Sequence, residues 1–190
     1  AQVNNYEIDY EQYHKTADDV TLEQVKQFVD DLNLSLPGGE TIRDYQLDAV
    51  YRAITDGRRL LLSPTGSGKS LIIYCLLRWH EAHGRKQLIL VPTTSLVEQM
   101  YTDFQSYSQN NGWKVSYNCS RIYSGHSKDN LLPIVISTWQ SVYELPKKFF
   151  EEFKVIYGDE AHTFKAKSLT GIMHKMITTP YRIGTTGTLD

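Results

Sequence analysis

The sequence predicts an α/β fold in which a mostly parallel sheet is flanked by helices. Two observations lead to this class. Short apolar runs of strand length alternate along the chain with segments whose apolar residues recur at helical spacing. One such run, at residues 60–62, passes through a loop of small residues into a helical pattern. Strands that are connected by helices pair in parallel and are buried on both faces, so this order of elements predicts a covered central sheet.

The composition is that of one globular unit with little net charge. The 190 residues are 41% hydrophobic and 22% charged, and 20 basic against 22 acidic side chains leave a net charge of −2. A chain of this length can close one sizeable hydrophobic core. The near-neutral balance gives no global sign of a nucleic-acid partner or an anionic membrane, and it leaves open a local basic surface.

No segment has the pattern of a membrane span or a secretion signal. The longest apolar run, residues 71–77, is too short to cross a bilayer, and the first residues lack the basic-then-apolar order of a signal peptide. We therefore expect a cytoplasmic protein without a membrane partner. Cys75 and Cys119 lie outside any C-x-x-C pattern or Cys/His cluster, so we expect buried reduced thiols and no structural zinc.

Two amphipathic helices are predicted ahead of the loop. Residues 1–16 are polar and tyrosine-rich, and we expect them to be extended or loosely ordered. From Thr21, a typical N-cap residue, apolar side chains recur at helical spacing until the Pro-Gly-Gly of residues 37–39 ends the pattern. A second helix is predicted over residues 43–55.

The Pro-Gly-Gly stretch is also the clearest internal boundary. It separates a predicted N-terminal helical extension, residues 1–38, from a nucleotide-binding core, residues 39–190. The extension is either a helical brace that packs on the core or the end of a larger N-terminal domain. Its apolar face favours packing on the core.

Strands and helices continue to alternate after the loop. The predicted strands lie at residues 87–91, 115–117, 134–137, 155–157 and 182–184. Helices are predicted between them at residues 94–108 and 168–177. This alternation predicts βαβ units with a parallel sheet.

The loop after the first strand has the composition of a phosphate-binding loop. Its residues are Ser63, Pro64, Thr65, Gly66, Ser67, Gly68, Lys69 and Ser70. The glycines let backbone N–H groups converge on phosphate oxygens, and the following helix adds the positive partial charge of its N-terminus. Lys69 can reach the β and γ phosphates, and the Ser70 hydroxyl can hold Mg²⁺. Only the first position departs from the G-x-x-x-x-G-K-[ST] pattern, because serine stands there in place of glycine.

A pair of carboxylates follows the apolar run at residues 155–157. Asp159 is predicted to hold Mg²⁺, and Glu160 is predicted to orient and deprotonate the attacking water, since phosphoryl transfer needs both groups. By itself such a pair is more often part of a solvated loop or helix N-terminus. The phosphate-binding loop in the same chain makes the catalytic interpretation the favoured one. His162 is either a third member of the site or a polar residue at the strand exit.

With the Asp-Glu-Ala-His of residues 159–162, the chain resembles superfamily 2 helicases of the DEAH-containing kind over residues 42–189. The resemblance implies a RecA-like core that uses ATP and Mg²⁺. It also implies that Gln46 hydrogen-bonds the adenine edge, while Arg43 or Tyr45 packs beside the base.

Three further stretches are similar to motifs of this family. Pro92, Thr93, Thr94 and Gln99 belong to a stretch like motif Ia, and Ser137, Thr138, Trp139 and Gln140 to one like motif Ib. The resemblance implies that these loops touch the backbone of one nucleic-acid strand. Thr186, Gly187 and Thr188 resemble motif III, which couples the nucleotide site to that track. From the residues alone, the hydroxyls could equally cap helices, and a tryptophan after a buried strand is more often a core residue.

Within superfamily 2, motif Ib and the Gly-Thr-Thr-Gly-Thr-Leu ending are most similar to phage recombination helicases of the UvsW type. This resemblance implies an ATP-dependent helicase or translocase in a phage-infected cell, acting on branched or forked DNA or on RNA–DNA hybrids. A restriction-type DNA translocase and a nucleotide-switched interaction module without turnover are the alternatives.

The sequence stops at Asp190, just after motif III. The family's second RecA-like domain, which supplies arginines to the γ-phosphate, would follow. We therefore expect a fragment that by itself binds nucleotide weakly and hydrolyses it slowly.

Overall fold

The structure is a computed structural model that describes residues 18–62, 66–123, 127–159, 166–176 and 178–186. The helices are α1 (Leu22–Asp31), α2 (Asp44–Asp56), α3 (Gly66–Ala82), α4 (Thr94–Tyr107), α5 (Val115–Asn118), α6 (Trp139–Val142), α7 (Lys147–Glu151) and α8 (Ala166–Lys175), with a 3₁₀ turn at Pro37–Gly39. The strands are β1 (Arg58–Leu62), β2 (Gln87–Val91), β3 (Cys119–Ile122), β4 (Ile134–Thr138), β5 (Val155–Asp159) and β6 (Tyr181–Thr186).

The strands form one sheet in which every neighbouring pair is parallel, so the predicted α/β class is confirmed. Within the described ranges the sheet has six strands in the order β1-β6-β5-β2-β4-β3. The carboxyl ends of all strands therefore lie along the same edge. In the register, Asp159 stands opposite Thr185, and Val91 stands opposite Thr138. Ligands of open α/β sheets bind at this edge.

Helices cover both faces of the sheet. Ile89 and Val91 of β2 are buried in a cluster with residues of α1 to α4. Leu88 and Leu90 of the same strand are buried in a second cluster with residues of α6, α7 and α8. Because side chains alternate along a strand, a continuous apolar run such as that of β2 is explained by burial on both faces.

One predicted strand is wrong. Residues 115–117 form most of the short helix α5, and the strand in this region is β3, which begins at Cys119 and pairs with β4. Val115 is 3% exposed and Tyr117 is 70% exposed, so the run has one buried and one solvated side. A run of three residues is too short for its periodicity to separate a strand from a helical turn.

The described part of the N-terminal extension, residues 18–38, packs on the core, as its apolar face predicts. Thr21 caps α1 in a capping box: its hydroxyl accepts the N–H of Gln24, and the Gln24 side chain accepts the N–H of Thr21. Val25 and Val29 of α1 are 0% and 2% exposed and belong to the cluster that also contains α3. The domain boundary at residue 38 stays a prediction.

The carboxylate of Asp18 anchors the start of the described chain to the core. Asp18 accepts hydrogen bonds from Trp79 Nε1 at 2.7 Å, from both terminal nitrogens of Arg85 at 2.8 and 2.7 Å, and from Tyr181 OH at 3.0 Å. We call these four residues the Asp18 cluster. Burial opposes ionisation of Asp18, yet the hydrogen bonds and charge of Arg85 and the bond from Trp79 outweigh it and hold the pKa of the carboxyl well below its usual range.

His80 lies beside the Asp18 cluster as a buried, neutral ring. It is 0% exposed, its Nδ1 lies 3.0 Å from an Arg85 nitrogen, and its Nε2 has no hydrogen-bond partner among the residues that the structure describes. Burial lowers the pKa of His80 from 6.5 to about 3, with help from the charges of Arg85 and His83 and against that of Asp18. The ring also packs against Tyr181 at 4.5 Å between centroids.

This burial predicts acid sensitivity in a defined pH window. Below pH 6.5 the unfolded chain takes up a proton that folded His80 refuses until about pH 3, so the free energy of unfolding falls as the pH drops through that range. The loss between about pH 7 and about pH 5 should be about 2 kcal/mol. Urea denaturation of the 190-residue chain at both pH values, compared with His80→Phe, tests this.

In the His80→Phe chain the pH-dependent loss should shrink by that amount, whatever the absolute stability of the variant. Replacing Leu22, whose side chain is 41% exposed, with phenylalanine is the control, because it adds a phenyl ring without removing a titratable group and should leave the slope unchanged. An unchanged slope in His80→Phe would contradict the assignment. Asp18 contributes no slope in this window because its carboxyl is ionised in both states.

The two cysteines are buried and free, as predicted. Burial raises the pKa of each thiol to about 12, so both stay protonated. None of the helices in the described ranges is both long and apolar enough to cross a bilayer.

Candidate active site

The edge formed by the carboxyl ends of the strands brings together two residues that are 90 positions apart in sequence. Lys69 Nζ lies 3.1 Å from Asp159 Oδ1. The side chains are only 11% and 8% exposed. A charge pair so shielded from water is stronger than one on the surface. The structure thus places the predicted phosphate-binding lysine next to the predicted metal-binding carboxylate, and the role of each stays a prediction.

Two further contacts hold Asp159 in place. Thr185 Oγ1 donates a hydrogen bond of 2.7 Å to the same Oδ1, and Trp139 Nε1 donates one of 3.2 Å to the Asp159 carbonyl. Thr185 reaches the carboxylate because β6 pairs directly with β5. Thr185 lies near the end of β6, and Trp139 directly follows β4. The orientation of Asp159 therefore depends on residues from two other strands at the same edge of the sheet.

The helix after the phosphate-binding loop begins at Gly66, three residues before Lys69. Lys69 and Ser70 therefore lie in its first turns, where unpaired backbone N–H groups give the helix terminus a positive partial charge. Pro64 and Thr65 lie outside the described residues, and only the backbone of Gly66 and Ser67 is described.

A cavity of about 330 Å³ opens beside these residues. It is lined by Lys69, Ser70 and Asp159 and by one face of α4, formed by Leu96, Gln99, Met100 and Asp103. Gln99 Nε2 donates a hydrogen bond of 2.9 Å to Asp103. Gln99 was expected at the nucleic acid from its motif, and in the structure it contributes to this cavity.

Ser70 is held by a tyrosine at the far end of α4. Its Oγ lies 2.6 Å from Tyr107 OH, and the residues are 4% and 8% exposed. Burial raises the pKa of Tyr107, partly offset by the hydrogen bond to Ser70, so the phenol is neutral.

The residues around the cavity fit a magnesium nucleotide. A serine hydroxyl and a carboxylate are oxygen donors of the kind that Mg²⁺ prefers, and Mg²⁺ is usually bound by one or two protein groups together with substrate phosphates. Lys69 adds a positive charge beside them. Ser70 and Asp159 would hold the ion, and Lys69 would bind the phosphate oxygens.

Gln46, predicted to read adenine, lies near the start of α2. It is 6% exposed, and its Oε1 accepts a hydrogen bond of 2.9 Å from the N–H of Arg43. That bond fixes the carboxamide and leaves the amide nitrogen as the group that could donate to a base. Tyr45 is 48% exposed, which suits packing against a ring. The adenine contacts of all three residues stay predictions.

The two halves of the predicted nucleic-acid track differ in exposure. Pro92 is half-buried, Thr93 and Thr94 are exposed, and the Thr93 hydroxyl caps α4 by accepting the N–H of Leu96. Gln140 is exposed as well. These side chains are accessible to a nucleic-acid backbone, and their contact with one stays a prediction.

The other half of the predicted track is buried. Ser137 and Thr138 are 0% and 6% exposed, and their hydroxyls bond to the Thr138 carbonyl and to Ser141. Trp139 is 2% exposed, and a Cβ added to Gly158 would lie 3.0 Å from its ring. A buried indole cannot stack on a base, so the structure favours the interpretation of Trp139 as a core residue. Contact of Ser137 and Thr138 with a nucleic acid stays a prediction.

Several predicted site residues lie outside the described part of the chain. They are Glu160, His162, Gly187 and Thr188, and of Thr186 only the backbone is described. Their roles stay predictions.

Three polar residues at the site were not predicted from the sequence. Thr185 lies one position before the motif III stretch, so the polar end of β6 could have included it. Asp103 and Tyr107 lie on an amphipathic helix whose pattern indicates only a packed face. Asp103 lines the cavity and Tyr107 contacts Ser70 because α4 packs against α3, and sequence spacing does not predict that pairing.

Comparison with known proteins decides the family. The family model described as "Type III restriction enzyme, res subunit", or ResIII, matches residues 40–190. The chain belongs to the ResIII family. The matched range contains both partners of the Lys69–Asp159 pair. The resemblance to superfamily 2 helicases and their RecA-like first domain is confirmed by this match and the relatives below.

Two curated relatives align with the ResIII chain. It is 37% identical over 150 residues to the ATP-dependent DNA helicase uvsW of Enterobacteria phage T4, covering 76% of this chain and 29% of that protein. It is 27% identical over 147 residues to the DNA 3'-5' translocase XPB2 of Sulfurisphaera tokodaii, covering 77% of this chain and 30% of that protein. The chain thus spans less than a third of either relative.

A solved structure extends the likeness to three dimensions. The crystal structure of the UvsW helicase from bacteriophage T4 is similar to this ResIII chain with a TM-score of 0.78 at 32% identity. The similarity covers 91% of this chain and 62% of that one, so it includes most of the N-terminal extension as well as the core.

Proposed function

We propose that the chain is the first motor domain of an ATP-dependent DNA helicase or translocase. The observation that carries the proposal is the shielded Lys69–Asp159 pair at the mouth of a cavity that also contains the Ser70 hydroxyl. Similarity to proteins named as a DNA helicase and a DNA translocase supports DNA as the partner.

Five residues have a part in the proposed reaction. Lys69 binds the β and γ phosphate oxygens, and Ser70 and Asp159 hold Mg²⁺. When bound, Mg²⁺ offsets charge on the phosphates. Thr185 keeps Asp159 oriented through its 2.7 Å bond. Glu160, next in sequence to Asp159, orients and deprotonates the attacking water.

The structure of the substrate and a second domain can be specified further. We propose branched or forked DNA or an RNA–DNA hybrid as the substrate, and a second RecA-like domain that completes the ATP site. The strongest support is the 37% identity to the phage T4 helicase. The description of the family as a restriction subunit keeps the restriction-type translocase as the second candidate.

The test is the ATPase rate of the full-length protein without nucleic acid and with single-stranded DNA, double-stranded DNA, forked DNA and an RNA–DNA hybrid. We expect strong stimulation by one of them, and its loss in Lys69→Ala. The most effective substrate identifies the kind of motor, and cleavage of DNA would instead support the restriction candidate. Tight ATP binding without stimulated turnover would overturn the motor in favour of a nucleotide switch.

A further inference from the structure

We propose that Tyr107 is a positioning residue for the Ser70 hydroxyl and, through it, for magnesium at the nucleotide site. The inference rests on the proposed function, because it takes Ser70 as a ligand of Mg²⁺. Tyr107 lies in no motif of the sequence, and it is the last residue of α4.

The contact between the two hydroxyls is short and shielded. Tyr107 OH and Ser70 Oγ are 2.6 Å apart, within the normal range for an O–H···O bond. Both residues are buried, at 8% and 4% exposure, although Ser70 also lines the cavity. Because water has little access, this bond can orient the serine hydroxyl.

The direction of the serine proton matters for metal binding. A serine hydroxyl has one proton and two lone pairs, and it can offer a lone pair to a cation only if the proton points elsewhere. The contact allows either hydroxyl to donate, and we take Ser70 as the donor, which leaves the lone pairs of its oxygen for the cavity. Groups that orient a metal ligand in this way commonly change metal affinity by about 10–100-fold when they are removed.

Tyr107 is itself held on two sides. Its ring packs against Tyr74 with centroids 5.4 Å apart, and its backbone carbonyl accepts the N–H of Ser35 at 3.1 Å. Ser35 belongs to the N-terminal extension, so the extension fixes the end of α4 that carries the phenol. The position of the hydroxyl is therefore set by packing before nucleotide arrives.

Tyr74 provides a matched control. It is 0% exposed and in the same aromatic group, and its hydroxyl bonds to Ser108 at 2.7 Å, Arg78 at 2.7 Å and Asn111 at 3.2 Å. None of these three partners lines the cavity. Tyr74→Phe therefore removes a buried phenol hydroxyl of the same kind without touching the contact to Ser70.

The experiment measures the affinity of the full-length protein for fluorescent ADP with Mg²⁺ and with EDTA, and takes the ratio of the two affinities. Tyr107→Phe should reduce this magnesium enhancement by about tenfold and leave the affinity in EDTA unchanged. Tyr74→Phe should leave the ratio intact. Ser70→Ala should reduce it at least as much as Tyr107→Phe, and adding Tyr107→Phe to Ser70→Ala should cause no further loss.

The variants distinguish a failure of the proposed function from a failure of the role proposed for Tyr107. An unchanged ratio in Ser70→Ala would refute the metal role of Ser70 and the proposed function with it. A reduced ratio in Ser70→Ala with an unchanged ratio in Tyr107→Phe would overturn the inference alone. Equal weakening with Mg²⁺ and EDTA, or an added loss in the double variant, would also overturn it by showing that Tyr107 acts only through packing.

Discussion

Replacing Asp159 with asparagine is expected to lower the DNA-stimulated ATPase rate of the full-length protein by about 10²–10³-fold. The exchange keeps the size of the side chain and removes its charge. Asp159 Oδ1 lies 3.1 Å from Lys69 and 2.7 Å from Thr185 Oγ1, so the carboxylate serves both the lysine and the proposed metal site. Steady-state turnover at saturating ATP, Mg²⁺ and DNA measures the effect.

The control for charge is Asp48→Asn. This exchange removes the same charge from the protein surface. The side chain of Asp48 is 51% exposed and forms an ion pair with Arg52. We expect it to change turnover little, because exposed ion pairs contribute little. If Asp159→Asn kept most of the stimulated rate, Asp159 would not be a ligand of the catalytic ion.

The second large effect is expected on stability, from Asp18→Ala. Removing this carboxylate leaves the Arg85 guanidinium, the Trp79 N–H and the Tyr181 hydroxyl without their acceptor in a largely buried place. Breaking such a pair from one side typically costs about 3 kcal/mol of the free energy of unfolding. Urea denaturation of the 190-residue chain near neutral pH measures it.

The neighbouring residue is the matched control. Asp19 is exposed, and its replacement by alanine should change the free energy of unfolding by less than about 0.5 kcal/mol. Equal effects of the two substitutions would mean that the Asp18 cluster contributes no more than a surface charge. Asp18→Glu is expected to recover only part of the stability that Asp18→Ala loses. It returns the carboxylate, but the longer side chain cannot accept hydrogen bonds from all three donor residues in the same positions.

The features that the sequence predicted well depend on local patterns. The helix predicted over residues 94–108 is found at Thr94–Tyr107, since apolar spacing and the Thr93 cap are local signals. The parallel sheet brings Lys69 and Asp159 together because its strands end at one edge. Each residue was predicted at the nucleotide site from its own motif. That inference required no knowledge of the order of the strands.

What the sequence did not predict depends on that order and on packing. Thr185 reaches Asp159 only because β6 lies between β1 and β5, and chain order does not give this neighbour. Trp139 follows a buried strand in a motif of the resembling family, yet its ring is packed against Gly158. Burial of that ring is decided by the shape of the space between elements, which residue spacing does not encode.

The Asp18 cluster has a consequence for how the chain folds. Asp18 and Tyr181 are 163 residues apart in sequence, and β1 is joined to the sheet through β6, the last strand. Both contacts close very long loops, which raises the contact order and slows folding. Among the strands that the structure describes, β1 pairs only with β6, so during synthesis it lacks this partner until β6 leaves the ribosome. The sheet around β1 therefore stays incomplete and accessible to chaperones until then.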